Sequence, residues 1–244
     1  MKRIWIALAL TAALAVGSFA QPSSAGKQAA VEKADPGISE AVSTARAALA
    51  AHGGDKLRLM RSLVVRGSAD ITPTPSQVIP ASFVFVLAGE RYLFELNNPI
   101  QPLKQVFDGH RQHSSGYQLP PMNSLGFPLL QKVGEAGYPI TAAGDGKKKR
   151  KGFRITTPDG FYTDFFLDDK TGQIKAYESA YEVMGRTVTT SVEIDEMAVV
   201  EGVTVPKRYS QRFDLGPFTA YATFKAKEIL VDQPVADDLF AIPK

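Results

Sequence analysis

The sequence predicts a mainly β (α+β) protein in which short helices cover one face of a large, strongly curved antiparallel sheet. From about residue 63 onward, apolar and polar side chains alternate with a period of two, which is typical of half-buried strands. Short breaks that contain glycine separate these segments, and helices do not alternate with them. A parallel α/β sheet is therefore not expected.

One helix is expected before the strands. Ile38, Val42, Ala45 and Leu49 have helical spacing, and Gly53 follows as a stop signal. A second, short apolar helix is expected in the insert around 125–133, and residues 142–151 are expected to form a surface loop. The expected strands are 63–71, 81–88, 90–97, 103–108 and 110–118 before this insert, and 161–167, 174–184, 186–195, 203–213 and 218–230 after it.

The N-terminal segment has the features of a secretory signal peptide. Lys2 and Arg3 precede an apolar run from Ile4 to Val16, which is shorter than a usual membrane-spanning helix. Small residues around Ala20, and again around Ala25, fit a cleavage site. We expect export to the periplasm with cleavage near Ala20. A retained N-terminal anchor is the alternative.

Three ranges follow from this reading: a signal peptide at 1–20, a flexible leader at 21–36 and a single domain at 37–244. Loss of Lys2 and Arg3 would take the formal charge from +3 to +1, so nucleic acid is not an expected partner. The chain contains no cysteine. We therefore expect a fold held by its core without disulfides, and no cysteine-based metal site or thiol catalysis.

The order of these features resembles the LolA/LolB-type periplasmic carriers, a group of outer-membrane lipoprotein-sorting proteins. This resemblance implies a half-open β-barrel whose helices form a lid over an apolar concave face. It also implies a carrier of lipid or lipoprotein acyl chains that is not an enzyme and needs no cofactor. Arg66 and Arg91 are the candidates for the arginine that contacts the lid in this family. The stretches that carry the resemblance are ARAALAAHGG, LVVRGSADI, ERYLFEL with VFDG, FFLDDKTGQI, EGVTVPKRYS and DDLFAIP.

Aromatic and aliphatic side chains are expected to line that concave face. A large curved sheet under only two short helices is not expected to be filled, and an unfilled apolar face binds a ligand or promotes aggregation. An acyl chain gains about 0.8 kcal/mol for each buried methylene. For each residue alone, an ordinary core position is the competing interpretation. The candidates are Leu49, Phe83, Phe85, Tyr92, Phe94, Leu129, Leu130, Phe165, Tyr181, Tyr209 and Tyr221.

A run of five basic residues interrupts the second half of the chain. It comprises Lys147, Lys148, Lys149, Arg150 and Lys151. A solvated loop is one interpretation, since like charges repel one another. A contact for an acidic partner, either anionic headgroups or an acidic protein surface, is the other.

Two histidines raise the question of a metal site. His110 and His113 follow Asp108-Gly109, which is a hairpin signal. In a strand, side chains three positions apart point to opposite faces, so the two rings are not expected to share one metal ion. No hydrolase, phosphate-loop or dinucleotide motif is present.

These observations favour a monomeric periplasmic protein that binds a lipid or lipoprotein acyl chain, with an envelope membrane protein as a second candidate partner. The insert around Leu129 and Leu130 would move as a lid. The alternative is an envelope protein-interaction or sensor module on the same fold, which carries no cargo.

Overall fold

The computed structural model describes residues 36–74, 76–115, 121–144, 150–183, 185–214 and 219–242. Within these ranges the chain forms one twelve-stranded antiparallel sheet, two α-helices and two 3-10 helices. None of the described helices combines the length and the hydropathy needed to cross a membrane. The expected signal peptide, almost all of the expected leader, and Lys147 to Lys149 lie outside the described residues.

The helices and strands that the sequence predicts occur in the predicted order, and further short elements lie among them. The α-helices are α1 (Pro36–Ala51) and α2 (Asp55–Arg58), and the 3-10 helices are Phe127–Lys132 and Asp237–Phe240. The strands are β1 (Ser62–Thr74), β2 (Gln77–Ala88), β3 (Arg91–Asn97), β4 (Leu103–Phe107), β5 (Gln112–Ser115), β6 (Ile140–Ala142), β7 (Gly152–Thr156), β8 (Tyr162–Leu167), β9 (Ile174–Val183), β10 (Arg186–Val200), β11 (Val203–Asp214) and β12 (Thr219–Val231).

The sheet is curved and open. Its strand order is β5-β4-β3-β2-β1-β12-β11-β10-β9-β8-β7-β6, so the first and last strands pair at its centre and β5 and β6 form its edges. Phe94 of β3 and Tyr177 of β9 line the same internal space, although five strands separate β3 from β9. In a flat sheet these strands would be about 29 Å apart, at roughly 4.8 Å per strand. The expected fold class, a mainly β protein built on a curved antiparallel sheet, is confirmed.

Two strands were not predicted from the sequence. The first, β6, spans only three residues, which is too short to show a period of two. The second, β7, alternates buried Phe153 and Ile155 with half-buried neighbours. It begins directly after the basic run, where the sequence predicts a loop as far as Lys151. The strands therefore resume earlier than expected, with β6 at residue 140 and β7 at residue 152.

Helix α1 lies on the sheet by a face that only partly matches the predicted one, since Ala45 is buried and Val42 and Leu49 pack against the core. The sequence predicts an apolar stripe that begins at Ile38, but Ile38 is 47% exposed. Small side chains form most of the buried face, and they let the helix approach the strands closely. The buried positions along this segment are Ala41, Thr44, Ala45, Ala48 and, just after the helix, His52.

A smaller apolar cluster lies on the convex face of the sheet. Phe240, from the C-terminal 3-10 helix, is 1% exposed and packs against Val64, Val86, Leu93 and Val106. These residues alternate along their strands with the residues that face the main core, such as those of β3. The C-terminal segment therefore covers the outer face, and it leaves the concave face to the helices and the insert.

Candidate functional site

A partly enclosed cavity of about 110 Å³ lies between the concave face of the sheet and the insert at residues 121–133, which we term the lid insert. None of the residues that line it is charged. The lining residues are Leu63, Val65, Phe83, Phe85, Phe94, Met122, Leu125, Gly126, Phe127, Pro128, Tyr177, Ser179, Thr190, Val205, Pro206, Tyr209, Gln211 and Phe224.

The two sides of the cavity differ in polarity. Strands β1, β2, β3 and β12 contribute only aliphatic and phenylalanine side chains, whereas β9, β10 and β11 also contribute hydroxyl and amide groups. The polar side chains are Tyr177, Ser179, Thr190, Tyr209 and Gln211. The cavity thus offers one wholly apolar wall and one wall with uncharged hydrogen-bonding groups.

A glycine in β1 makes room for the apolar wall. The register of β1 against β12 shifts between Arg66 and Gly67. A Cβ atom at Gly67 would be 2.0 Å from the carbonyl oxygen of Lys225 and 2.9 Å from the Phe83 ring. The Phe83 ring packs edge-on against Phe224, with their centroids 5.1 Å apart at 88°. Because glycine has no side chain, the Phe83 ring can lie close to the strand backbone.

One end of the lid insert is attached to the polar wall. The Gly126 N–H donates to Thr163 Oγ1 at 3.1 Å, and Thr163 Oγ1 is 2.8 Å from Ser179 Oγ. Gly126 has a φ of +69°, and a Cβ atom there would be 2.8 Å from the Tyr177 ring. The left-handed backbone and the close ring both favour glycine at this position.

The other end is attached to α2 and to the turn between β2 and β3. Gln131 Nε2 donates to the carbonyl oxygens of Leu57 and Met60, both at 3.0 Å. Lys132 Nζ lies 3.0 Å from a carboxylate oxygen of Glu90. The lid insert therefore spans the concave face and is attached at both ends through a small number of hydrogen bonds.

The phenols of the polar wall remain protonated at neutral pH. Burial raises the pKa of both Tyr177 and Tyr209 well above the usual range of a tyrosine. The Tyr209 ring stacks on Phe224, with their centroids 4.9 Å apart at 17°. Each hydroxyl is thus available as a hydrogen-bond donor.

His52 attaches the end of α1 to the sheet, a role that the sequence does not reveal. Its Nδ1 donates to the Thr204 carbonyl oxygen at 2.7 Å, and its Nε2 accepts the Ile174 N–H at 2.9 Å. Because a backbone N–H can only donate, the neutral ring carries its proton on Nδ1. The ring lies edge-on to Phe127 of the lid insert, with centroids 5.3 Å apart. Burial lowers the pKa of His52.

The structure brings four of the predicted cavity residues to the cavity itself. Phe83, Phe85, Phe94 and Tyr209 line it. Five others belong to the packed core around it, and they are Leu49, Tyr92, Leu129, Leu130 and Phe165. Tyr181 is buried, which raises its pKa to about 12, but it is not among the lining residues. The sequence missed Tyr177, Ser179, Thr190 and Gln211, because strand polarity alone does not distinguish a polar cavity wall from a solvated face.

Contrary to expectation, the side chains of Tyr221 and of the two candidate lid arginines point away from the cavity. Tyr221 is 54% exposed, because its β12 neighbours on either side point inward. Arg66 pairs with Glu228 on the convex face at 2.6 Å. Arg91 pairs with Asp237 of the C-terminal 3-10 helix at 2.7 Å. Neither arginine is therefore placed to contact the lid insert.

The remaining candidates lie at the surface. His110 is exposed in the turn after β4, where its N–H donates to Asp108 Oδ1 at 2.8 Å, and His113 lies on the edge strand β5. Arg150 lies 3.7 Å above the Phe166 ring and 3.6 Å from a Glu178 carboxylate oxygen.

Lys151, the last residue of the basic run, is exposed. The described residues contain no group of three or more histidine or carboxylate side chains arranged to hold a metal ion.

Comparisons with known proteins show similarity in three-dimensional structure but not in sequence. No family model matches the chain, and no curated protein matches it in sequence. A DUF1329 family protein from Desulfovibrio piger is similar in structure, with a TM-score of 0.53 and 10% identity over 83% of this chain and 97% of that chain. A LolA superfamily protein from Nitrosomonas europaea has a TM-score of 0.49 and 10% identity over 80% of this chain and 97% of that chain. The chain therefore shares the fold of the DUF1329 family protein.

Proposed function

We propose that this protein is an exported, monomeric binding or carrier protein that takes an acyl chain of a lipid or lipoprotein into the cavity beneath the lid insert. The observation that carries this proposal is the cavity, which lies under an attached insert and is lined by uncharged, mainly apolar side chains. Such a site suits a hydrocarbon chain, which gains about 0.8 kcal/mol for each methylene removed from water. The function requires no bond to be made or broken.

The size of the cavity implies that the lid insert moves during binding. Its volume of about 110 Å³ is roughly a third of the lower end of the range typical of small-molecule pockets, about 300 Å³. A whole acyl chain would therefore need more space than this arrangement leaves. That movement would have to break the hydrogen bonds of Gly126 and Gln131 and to separate the buried side chains of the insert, such as Leu129, from the core. Release would then follow when a partner with higher affinity, such as an envelope membrane protein, receives the chain.

Co-purified lipid tests this function. We expect mass spectrometry of the gently purified, exported protein to find an acyl-containing lipid at close to one molecule per chain. Val205→Trp should remove that lipid, because Val205 is 1% exposed and lines the cavity. Val199→Trp is the matched control, since Val199 is 70% exposed on the neighbouring strand β10. Lipid retained equally by both variants would place the ligand elsewhere. Protein free of lipid, with no uptake of added acyl probes, would favour the interaction or sensor module.

The basic run is proposed as a contact for an acidic membrane surface or protein. Arg150 is already engaged with Phe166 and Glu178, so Lys148 and Lys151 are the better positions to test. We expect Lys148→Glu combined with Lys151→Glu to weaken binding to anionic vesicles severalfold at low ionic strength and to have little effect at high salt. Unchanged vesicle binding at low salt would leave the run as a solvated loop.

A further inference from the structure

Two polar atoms of the cavity wall have no hydrogen-bond partner among the described residues. One is the Tyr209 hydroxyl, whose ring is held by stacking on Phe224. The other is Gln211 Oε1. Thr190 Oγ1 donates to the Arg212 carbonyl oxygen at 2.9 Å, so it must accept the bond from Gln211 Nε2 at 3.0 Å. That arrangement fixes the orientation of the Gln211 amide and leaves its oxygen unused.

The Tyr209 hydroxyl and Gln211 Oε1 are both accessible to a ligand in the cavity. Every fully buried side-chain nitrogen or oxygen of the described residues has a hydrogen-bond partner, so an unpaired polar atom of a lining residue must face accessible space. Tyr209 and Gln211 are two positions apart on β11 and both line the cavity, which places their side chains on the same face of the strand, roughly 7 Å apart along it. Together they present one donor and one acceptor to whatever occupies the cavity.

The cavity lining contains no charged side chain that could pair with an ionised group of a ligand. The lining contains no lysine, arginine or histidine to pair with an anion, and no carboxylate to pair with a cation. Burying an unpaired charge costs far more free energy than burying a polar group that can form hydrogen bonds. A ligand whose polar end enters this cavity should therefore be uncharged.

We propose that the cavity selects acyl ligands whose polar group is uncharged, such as an ester, an amide or a hydroxyl, over ligands that end in an ionised carboxylate. The hydrocarbon chain would lie along the wall formed by β1, β2, β3 and β12. The polar group would lie against Tyr209 and Gln211, where the phenol donates to a carbonyl or hydroxyl oxygen and the amide oxygen accepts from an N–H or O–H. This inference rests on the proposed acyl-binding function and specifies the chemistry of its ligand.

Competition between matched ligands tests the selectivity. A fluorescent acyl probe bound to the full-length mature protein is displaced with decanoic acid, methyl decanoate or 1-decanol at pH 8, below the concentrations at which they aggregate. We expect the ester and the alcohol to bind at least about tenfold more tightly than the ionised acid. Equal or tighter binding of the acid would overturn the inference, because the polar end would then remain in solvent. Failure of every ligand, the probe included, would instead overturn the acyl-binding function itself.

A pair of tyrosine variants tests the residue assignment. Tyr209→Phe keeps the ring that stacks on Phe224 and removes only the hydroxyl, so it should weaken ester and alcohol binding by about three- to tenfold. Binding of a pure hydrocarbon probe such as decane should be unchanged in the same variant. Tyr221→Phe makes the same chemical change at the exposed convex face and should alter neither affinity. An unchanged ester affinity in Tyr209→Phe would contradict a role for the hydroxyl in recognition.

Discussion

At the scale of single residues, His52 shows how one buried polar side chain fixes a helix on a sheet. Its ring and backbone form three hydrogen bonds with β9 and β11, including the Thr204 N–H to the His52 carbonyl oxygen at 3.1 Å. The ring also contacts Phe127 of the lid insert. The sequence does not single out His52, because its partners are more than one hundred residues away along the chain. Long-range contacts of this kind carry no local pattern.

The protonation of His52 should make the stability of the fold depend on pH. The pKa of His52 is lowered in the folded state and near 6.5 in the unfolded chain, so the unfolded state binds the proton more readily. The stabilisation is then fully present above about pH 6.5 and is lost as the pH falls below this value toward the folded pKa. Protonation would also set an N–H against the Ile174 N–H.

Thermal unfolding between pH 8 and pH 5 measures this effect. We expect His52→Gln to be less stable than the unmodified protein at pH 8 by about 1–3 kcal/mol, as for a buried hydrogen bond that is lost, and the difference should shrink toward pH 5. His110→Gln, at an exposed turn, should follow the unmodified protein throughout. A difference that stays constant across this range would contradict a buried neutral imidazole.

At the scale of elements, the lid insert is an irregular segment, and the proposed function depends on its movement. The sequence predicts a short apolar helix there from Leu125, Leu129, Leu130 and Val133, and the structure has a 3-10 helix, Phe127–Lys132. Pro128 and the left-handed Gly126 shorten this helix and turn it toward β8 and β9. The side chains that receive it, Thr163 and Ser179, could not be recognised, since nothing in their own strands marks them as docking points.

Two glycine variants separate the docking of the lid insert from backbone strain. Gly126 and Gly134 both have a positive φ, +69° and +88°, so alanine is strained at either position. Only at Gly126 would the added Cβ atom meet a neighbour, the Tyr177 ring at 2.8 Å, whereas nothing lies within 4 Å at Gly134.

We therefore expect Gly126→Ala to cost about 1–3 kcal/mol more stability than Gly134→Ala, measured by chemical denaturation. It should also release bound probe faster. Equal losses of stability would mean that the insert does not pack on Tyr177 in solution.

The strands show which features of the fold a local sequence pattern can predict. Period-two alternation located every long strand to within a few residues, because half of each strand faces the core and half faces outward. It could not reveal which face is concave, so Tyr221 was assigned to the wrong side, and its neighbour Ala222 is the residue that faces inward. Arg66 and Arg91 were suggested by the family resemblance and not by alternation. A register shift like the one at Gly67 changes which residues face inward without leaving a signal in composition.

At the scale of the whole molecule, the sheet is curved enough that strands from both halves of the chain share one cavity. The wholly apolar wall comes mostly from the first half, and the polar wall comes from the second. The curved antiparallel sheet with its few helices was predicted from the order of the elements, since that order needs only strands, short breaks and two helical segments. The polarity of the cavity depends on side chains that meet only after folding, and it could be seen only in the structure.

Photochemical labelling tests the central claim most directly, which is that an acyl chain occupies this cavity. A decanoyl ester that carries a photoreactive group is bound to the exported protein, irradiated and mapped by tandem mass spectrometry. We expect labels on the lining residues of β2, β11 and the lid insert, such as Phe85, Tyr209 and Met122, with excess unlabelled ester suppressing them. Labels confined to exposed apolar residues such as Leu59 and Tyr221, or labels that unlabelled ester does not suppress, would contradict it.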